Sequence, residues 1–404
     1  MGDLILNLKI FEPDCGVEAT EEHLLYLRKY DKGLTVNACA HAVFFCQLLD
    51  ATKKKPKIHE NVPLYAQESK EVSLRSLKIG IIGGGHIGKQ LARVLLELGG
   101  FPGKNIQIST RRPETLLEFQ ALGVNCFYNN RKLVSWADVV FLCCLPSHLP
   151  YICSEIHKEL NQSSIIYSLV TAIPLPRLKQ LISSNAILRP HYTFTDSSSL
   201  TLWDMSRTVV EALKDPAVVQ ATCPLGPMGA IAMKPKWLEA VFYAALNSYT
   251  CQDLSCTKAL ELLNKVCFPE DVATSSEEHK SPSPPQPLFV CESFINEAFA
   301  SSLTPDDTFP WFDLTTVQLN ESPLNQLLAT DASLQENITS FYCNAIATLA
   351  AEYEESKASI SKKIPLSAVL LHPTTNQELT ASGTDGTCPS NVEDASSSES
   401  EEIN

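Results

Sequence analysis

The sequence predicts an α/β fold: a doubly wound, mostly parallel sheet, followed by an all-helical C-terminal domain. Short apolar runs alternate with amphipathic helical patterns from Ser76 to about Tyr192, which is typical of consecutive βαβ units. Beyond Tyr192 the alternation fades and longer helical patterns replace it. The first apolar run, residues 77–82, passes directly into a glycine-rich turn and then a helical pattern. That order of elements is typical of a Rossmann-type sheet.

Changes in composition divide the 404 residues into four predicted parts. Pro-rich and polar stretches mark the boundaries, and the last part is too polar and acidic to fold by itself. The parts are a helical extension (1–75), a Rossmann domain (76–192), a helical domain with a Pro/Ser-rich interruption at 281–287 (193–360), and a disordered acidic tail (361–404).

Each apolar run and each amphipathic pattern is assigned to one element. In the Rossmann domain, predicted strands lie at 77–82, 106–109, 124–127, 138–145, 165–170 and 186–188, with helices at 86–98, 113–121, 131–137, 149–160 and 175–182 between them. Two helical runs precede this domain, one opening at Thr20 and one over 34–49. Helices are also predicted at 201–213, 237–266 with a break near 252–253, 288–303 and 323–353.

The glycine-rich turn has the spacing of a dinucleotide-binding site. Gly83 permits the tight turn, Gly85 lets the backbone approach a pyrophosphate, and Gly88 lets helix and strand pack closely. The helix N-terminus that follows offers free N–H groups to phosphate oxygens. The predicted cofactor-binding residues of this turn are Gly83, Gly84, Gly85, His86, Ile87 and Gly88. A glycine turn that binds nothing is the alternative.

The end of the second strand indicates which nicotinamide cofactor binds. An NAD site places Asp or Glu here, whereas an NADP site holds the 2′-phosphate with Arg. The strand ends in Ser109, Thr110, Arg111 and Arg112, and the first acid is Glu114. We therefore predict that these four residues bind NADP(H), and that Arg111 is a stronger candidate for the 2′-phosphate contact than Arg112. A solvated surface turn is the alternative interpretation.

These segments resemble the pyrroline-5-carboxylate reductase family. The resemblance rests on LKIGIIGGGHIGKQLA, on the STRRPE end of the second strand, and on ADVVFLCCLPSHL, which resembles the family's fourth strand and the Lys-Pro after it. It covers roughly residues 76–192. It implies NADPH as cofactor, Pro146 beside it, and a helical C-terminal domain that builds a homodimer and the substrate pocket.

The substrate segments of that family do not recur. Leu145 stands where the family has Lys, and Arg189-Pro190-His191 stands where it has Met-Pro-Asn. The family's Ser-Gly-x-Gly-Pro-Ala and Ser-Pro-Gly-Gly-Thr-Thr segments are absent. Residues 225–229 resemble the first segment only weakly. The stretch where the second segment would be expected carries Glu277 and Glu278 instead. Two carboxylates there would repel an anionic substrate, which argues against proline synthesis.

Two histidines are candidate acid/base catalysts. His148 and His191 follow predicted strands at the sheet edge where ligands bind, and imidazole titrates near neutral pH. A histidine that caps a helix or bonds a loop carbonyl is the alternative at each position. Cys143 and Cys144 are predicted to pack within their strand rather than to act as nucleophiles. No metal site is predicted.

Two functions follow as hypotheses. The first is an NADP(H)-dependent oxidoreductase that transfers hydride to or from a small C=N or C=O substrate. The second is a catalytically inactive NADP(H)-binding interaction module, because the cofactor segments are intact while the substrate segments are not. A test of turnover with imines and carbonyls would separate them.

Composition limits the partners and the location. The net charge of −14 argues against nucleic-acid binding, and seven of the acids lie in residues 365–404. Fourteen cysteines without a C-x-x-C motif indicate reduced thiols, and no secretory signal is expected. No run of about 18 apolar residues was identified, so no membrane association is expected. We therefore predict a cytoplasmic protein.

Overall fold

The structure is a computed structural model. The described residues up to Lys357 belong to one compact unit, and Ala358 begins a second. The predicted interruption at 281–287, Glu277, Glu278 and the predicted tail beyond residue 363 lie outside the part that the structure describes. The structure describes residues 19–53, 76–195, 199–226, 230–268 and 288–363.

The chain enters the described region through one long helix, α1 (Ala19–Lys53). The sequence predicted two helical runs here, but the helix is continuous over 35 residues. Most of its residues from Thr35 to Asp50 are buried. A helix that is buried on all sides has no polar stripe from which its full length can be read.

The central sheet has six parallel strands in the order β3-β2-β1-β4-β5-β6. This order confirms the predicted doubly wound sheet, and chain direction along the sheet reverses between β1 and β4. The crevice beside the carboxyl ends of those two strands is therefore the expected ligand site. The strands are β1 (Ile79–Ile82), β2 (Ile106–Ser109), β3 (Asn125–Phe127), β4 (Val139–Leu142), β5 (Ile165–Ser168) and β6 (Ile187–Leu188).

Helices cover both faces of the sheet, which is why its strands are almost continuously apolar. Ile81, Phe141 and Tyr167 are neighbours in the strand register and point to the face covered by α1 and α2. Val140 and Ile166 point to the face covered by α4, α5 and α6. The helices are α2 (His86–Glu97), α3 (Leu117–Ala121), α4 (Asn130–Trp136), α5 (Leu149–Ile156) and α6 (Leu175–Ile182).

The remainder of the described chain is mainly helical, as predicted, but more finely divided. The predicted break near 252–253 is confirmed, because Asp253 has a φ of 56° between two helices. One two-stranded antiparallel ribbon interrupts the helices, formed by β7 (Tyr192–Phe194) and β8 (Ile231–Met233). The helices are α7 (Val209–Ala212), α8 (Pro216–Ala221), α9 (Lys236–Thr250), α10 (Cys256–Cys267), α11 (Cys291–Phe294), α12 (Glu297–Ala300), α13 (Leu314–Leu319), α14 (Pro323–Thr330) and α15 (Ala332–Lys363).

Helix α1 joins the sheet to the helical region, since it packs against both α2 and α9. Its segment Leu24–Lys53 is long and apolar enough to cross a membrane, which corrects the expectation that no such segment exists. However, 83% of its most apolar window is buried inside the protein. Within the described residues this segment is therefore a core helix.

Candidate functional site

The turn after β1 requires glycine at its first position. Gly83 has a φ of 113°, a left-handed conformation that side chains other than glycine rarely adopt. Its N–H donates to the carbonyl of Ser109 over 2.9 Å, which closes the turn onto β2. A Cβ at Gly83 would lie 2.5 Å from the carbonyl oxygen of Cys143, so β4 also approaches here.

Gly88 and Gly85 have different spatial roles in the same turn. A Cβ at Gly88 would lie 2.0 Å from the Gly83 carbonyl oxygen, so helix and turn pack in contact there. A Cβ at Gly85 would meet no atom within 4 Å. Gly85 is the N-cap of α2, and no side chain caps that helix end. The open space before free helix N–H groups fits a pyrophosphate.

The other residues of the turn surround that space. Gly84 lies against β2, since a Cβ there would be 3.0 Å from the Thr110 Cβ. His86, the first residue of α2, is exposed. Ile87 is half-buried and packs on the hydrophobic core. His86 is therefore the turn's side chain that solvent and ligands can reach.

At the end of β2, Ser109 differs from the residues that follow it. Its buried hydroxyl donates to the Asn130 Oδ1 over 2.7 Å and accepts from the Asn129 N–H over 3.2 Å. The Ser109 hydroxyl is thus already hydrogen-bonded inside the protein, while the Ser109 carbonyl positions Gly83. The Thr110 N–H donates to the Phe127 carbonyl over 2.8 Å.

Arg111 and Arg112 are both exposed beside the crevice. Neither forms an ion pair with an acid of the described residues. Glu114 is also exposed, in the first turn of the short 3₁₀ helix that follows. Two unpaired guanidiniums form an electrostatic site suited to an anionic group such as a phosphate.

The end of β4 supplies the opposite wall of the crevice. The Cys143 N–H donates to the Ile82 carbonyl over 2.9 Å. Pro146 is exposed and begins a 3₁₀ turn that ends at His148. His148 is half-buried, and its side chain makes no capping hydrogen bond to α5. The alternative of a helix-capping histidine is not supported at this position.

The ends of β5 and β6 carry a cluster of basic groups. The Arg189 guanidinium donates to the Thr171 carbonyl, which follows β5. The backbone N–H of Lys234 donates to the backbone carbonyl of the exposed His191 over 3.1 Å, so the two residues are neighbours. Partial burial, Lys234 and Arg189 lower the pKa of His191. His191 is therefore a mainly neutral imidazole at pH 7.

Sequence reasoning did not single out Lys234 as a member of this cluster. It follows β8, far along the chain, and reaches His191 because Tyr192 pairs with Met233 in the ribbon. Neither Arg189 nor Lys234 is ion-paired to an acid within the described ranges. No local pattern in the sequence signals this contact.

A buried polar network joins four elements close to the ribbon. His41 in α1 donates from Nε2 to the Thr222 carbonyl over 2.7 Å, so its neutral Nδ1 accepts from the Tyr192 hydroxyl over 2.9 Å. The Thr222 hydroxyl donates to the Val219 carbonyl and therefore accepts from the Tyr342 hydroxyl over 3.0 Å. Burial lowers the pKa of His41 to about 4. The network contains a neutral histidine with both nitrogens bonded.

The cysteines after β4 behave as packing residues, as predicted. Burial raises the pKa of Cys143 well above its usual range and the pKa of Cys144 to about 11. A protonated, buried thiol is a poor nucleophile. Cys143 is part of the apolar core beneath the sheet edge.

Two cavities lie away from the crevice. One of 750 Å³ opens near the amino ends of β1 and β2, between Ser76, Asn105 and the α15 residues Asn337 and Asn344. The other, of 980 Å³, lies near α6 and Trp311. Neither includes the glycine turn or the basic cluster, so the candidate site is the open crevice itself.

Comparisons with known proteins show which proteins this chain is similar to. Residues 78–171 match the family model described as "NADP oxidoreductase coenzyme F420-dependent". The zebrafish protein pyrroline-5-carboxylate reductase 3 is 30% identical over 106 residues, covering 26% of this chain and 37% of that protein. A solved pyrroline-5-carboxylate reductase from Coxiella burnetii is 13% identical with a TM-score of 0.28, covering 69% of this chain and 98% of that one.

A longer match extends beyond the sheet. The mouse protein "NADP-dependent oxidoreductase domain-containing protein 1" is 38% identical over 357 residues, covering 87% of this chain and 96% of that protein. At that coverage the similarity includes the sheet with its glycine turn and most of the helical region that follows it. The chain belongs to the family of NADP-dependent oxidoreductase domain-containing protein 1, a Rossmann oxidoreductase family with pyrroline-5-carboxylate reductases among its relatives.

Proposed function

We propose that this protein is an NADP(H)-dependent oxidoreductase that transfers hydride to or from a small C=N or C=O substrate. The observation that carries the proposal is the glycine turn at the point where the strand order reverses. Gly85 leaves open space before an uncapped helix N-terminus, and Arg111 is exposed beside it. This arrangement provides backbone donors for a pyrophosphate and a cation for a 2′-phosphate.

Each part of the turn has a separate task in this proposal. Gly83 and Gly88 hold the turn in shape, while Gly85 and the first N–H groups of α2 bind the pyrophosphate. Arg111, with Arg112, binds the 2′-phosphate and so selects NADP(H) over NAD(H). The cofactor supplies the hydride chemistry when bound.

The substrate would lie toward the ends of β5 and β6. Arg189 and Lys234 are cations without an ionic partner among the described residues, and they flank His191. The protonated imidazolium form can donate a proton to a substrate atom during reduction, and the neutral imidazole, which dominates at pH 7, can accept one in the reverse direction. His191 is therefore our first candidate for acid/base catalysis, and His148 is the second.

Turnover tests the proposal against the inactive alternative. NADPH oxidation would be followed at 340 nm, roughly the absorbance maximum of reduced nicotinamide, with a panel of small imines, ketones and aldehydes. We expect at least one substrate to be reduced, and His191→Asn to lower kcat with little change in NADPH affinity. Tight NADPH binding without turnover on the whole panel would instead support an NADP(H)-binding interaction module.

We also propose, from the family resemblance, a homodimer formed through the helical region. Light scattering of the purified protein would test it, since a monomeric mass at micromolar concentration would contradict the proposal. A cytoplasmic location stays a prediction from the sequence.

A further inference from the structure

Strand β6 forms one edge of the central sheet, and helix α13 packs against it. On one side β6 pairs with β5. On the other side its backbone N–H and C=O groups need partners from outside the sheet, because an unpaired buried group costs free energy. Just before β6, the Thr315 N–H of α13 donates to the Asn185 carbonyl over 3.2 Å. Helix α13 therefore supplies partners that another strand would otherwise supply.

One side chain of α13, that of Gln318, bonds twice to the end of this strand. Its Nε2 donates to the Ile187 carbonyl over 2.7 Å, and its Oε1 accepts from the Arg189 N–H over 3.0 Å. The Nε2 also donates to the Leu314 carbonyl over 2.8 Å, one turn earlier in α13. These partners fix the orientation of the amide, because two carbonyls require a donor and one N–H requires an acceptor. The Gln318 amide thus pairs with β6 as a neighbouring strand would.

The start of α13 is itself fixed to two other helices. Asp313, the N-cap of α13, forms an ion pair with Lys179 of α6 over 2.7 Å. The side-chain amide of Asn247 in α9 bonds both backbone groups of Phe312, donating to its carbonyl over 2.9 Å and accepting from its N–H over 2.8 Å. Gln318 therefore projects from a helix that is anchored independently of β6.

The residues that Gln318 holds lead directly into the basic cluster. Its acceptor fixes the Arg189 backbone, and the Arg189 guanidinium donates to the Thr171 carbonyl after β5. Two residues further on, the His191 carbonyl accepts from the Lys234 N–H. The backbone between these bonds is short, so fixing it at Arg189 also limits where the His191 imidazole can lie.

We propose that Gln318 is a positioning residue that holds Arg189 and His191 in place at the β5 and β6 end of the crevice. The inference rests on the proposed function, because His191 has a catalytic task only within it. The Gln318 amide is already bonded to three backbone groups, so it acts through the residues that it holds and not on the substrate. A displacement of about 1 Å at a reacting group can lower a rate roughly 100-fold.

A second side-chain amide offers a matched control. Asn264 in α10 donates to the Phe289 carbonyl over 3.0 Å and accepts from the Phe289 N–H over 2.7 Å. It is half-buried, as Gln318 is, and it too bonds backbone groups on a distant stretch of chain. Gln318→Met and Asn264→Leu each remove such a pair of bonds with little change in side-chain size. Both variants should melt at a lower temperature, whereas only Gln318→Met should disturb the basic cluster.

The test follows the histidine ring signals of the full-length protein by NMR as the pH is changed. The signal of His191 is identified by its loss in His191→Asn. Partial burial, Lys234 and Arg189 lower the pKa of His191 in the intact arrangement. We therefore expect Gln318→Met to raise that pKa toward its ordinary value, and Asn264→Leu to leave it unchanged. With a substrate found in the turnover panel, kcat of Gln318→Met should fall roughly 10- to 100-fold, while the affinity for NADPH should not change.

Thermal melts establish that each variant is folded before its titration is compared. The inference is overturned if folded Gln318→Met keeps the His191 pKa of the wild type, or if Asn264→Leu raises that pKa as much. It is equally overturned if an active Gln318→Met keeps the kcat of the wild type. The titration needs no turnover, so a wild type without activity would count against the proposed function alone, and the comparison of His191 pKa values would still decide the role of Gln318.

Discussion

The two ends of the crevice are built in different ways. At the β1 and β2 end, the residues that shape the site lie within one stretch from Gly83 to Arg112, and backbone geometry dominates. At the β5 and β6 end, Arg189 and His191 follow β6, and Lys234 comes from the distant end of β8 and meets them through the ribbon. The proposed cofactor end is thus a local structure, whereas the proposed substrate end depends on tertiary packing. In a relative that catalyses a different reaction, we therefore expect the β5 and β6 end to differ before the β1 and β2 end does.

The largest effect concerns pyrroline-5-carboxylate, the compound for which the related reductases are named. We predict no measurable reduction of pyrroline-5-carboxylate by NADPH, because the sequence lacks the glycine-rich segment that holds the carboxylate and has Glu277 and Glu278 in that neighbourhood. Losing several charge-assisted hydrogen bonds, at about 1.5–3 kcal/mol each, lowers the rate by several orders of magnitude. A pyrroline-5-carboxylate reductase assayed in parallel is the control. Activity within about tenfold of that enzyme would mean that the basic cluster replaces the missing segment.

Gly85→Val should abolish NADPH binding while the protein remains folded. The new side chain would fill the space before the α2 N-terminus, where no protein atom lies within 4 Å of the Cβ position. Calorimetry measures the binding, and a thermal melt measures stability. Gly88→Ala is the contrasting variant: its Cβ would lie 2.0 Å from the Gly83 carbonyl oxygen, so its melting temperature should fall. Normal NADPH binding by folded Gly85→Val would refute the assignment of the turn.

His41→Ala should lower the free energy of unfolding at pH 7 by about 3 kcal/mol, because it leaves a cavity and two unpaired polar groups. Urea denaturation measures the change. His157→Ala is the control, since His157 is exposed, and its effect should be small.

The lowered pKa of His41 also predicts that the stability of the protein depends on pH. Its pKa in the folded state, about 4, is below the unfolded value of about 6.5, so the unfolded state binds more protons between them. Stability should therefore fall as the pH drops from about 6.5 toward 4, by up to about 3 kcal/mol from this group. His41→Ala should lose that part of the dependence. If the stability of the variant fell as much as that of the wild type over this pH range, other groups would cause the dependence.

The smallest effect is on cofactor choice. Arg111→Asp should reverse the preference for NADPH over NADH, with a change in the affinity ratio of at least about tenfold, because a carboxylate repels the 2′-phosphate and accepts from a 2′-hydroxyl. Lys104→Asp makes the same change of charge before β2, at the opposite sheet edge, and should leave the ratio unchanged. Equal affinities of the wild type for both cofactors would contradict the prediction.

The sequence by itself determined the parts of the fold that depend on neighbours along the chain. The strands, the glycine turn and α6 at Leu175–Ile182 follow from short-range patterns of apolar residues, glycine and proline. The turn could be predicted because a positive φ at Gly83 and the contact of Gly88 are backbone constraints that only glycine satisfies.

Tertiary structure decided what brings distant residues together. The sequence predicted two runs in place of continuous α1, because a buried helix has little polar periodicity. Three-residue strands such as β7 and β8 carry too little pattern to be recognised before they pair. The contacts of Lys234 with His191 and of His41 with Thr222 both cross long stretches of chain. Such contacts depend on how whole elements pack, because a side chain's partner across the core is fixed by the positions of both backbones rather than by its neighbours in sequence.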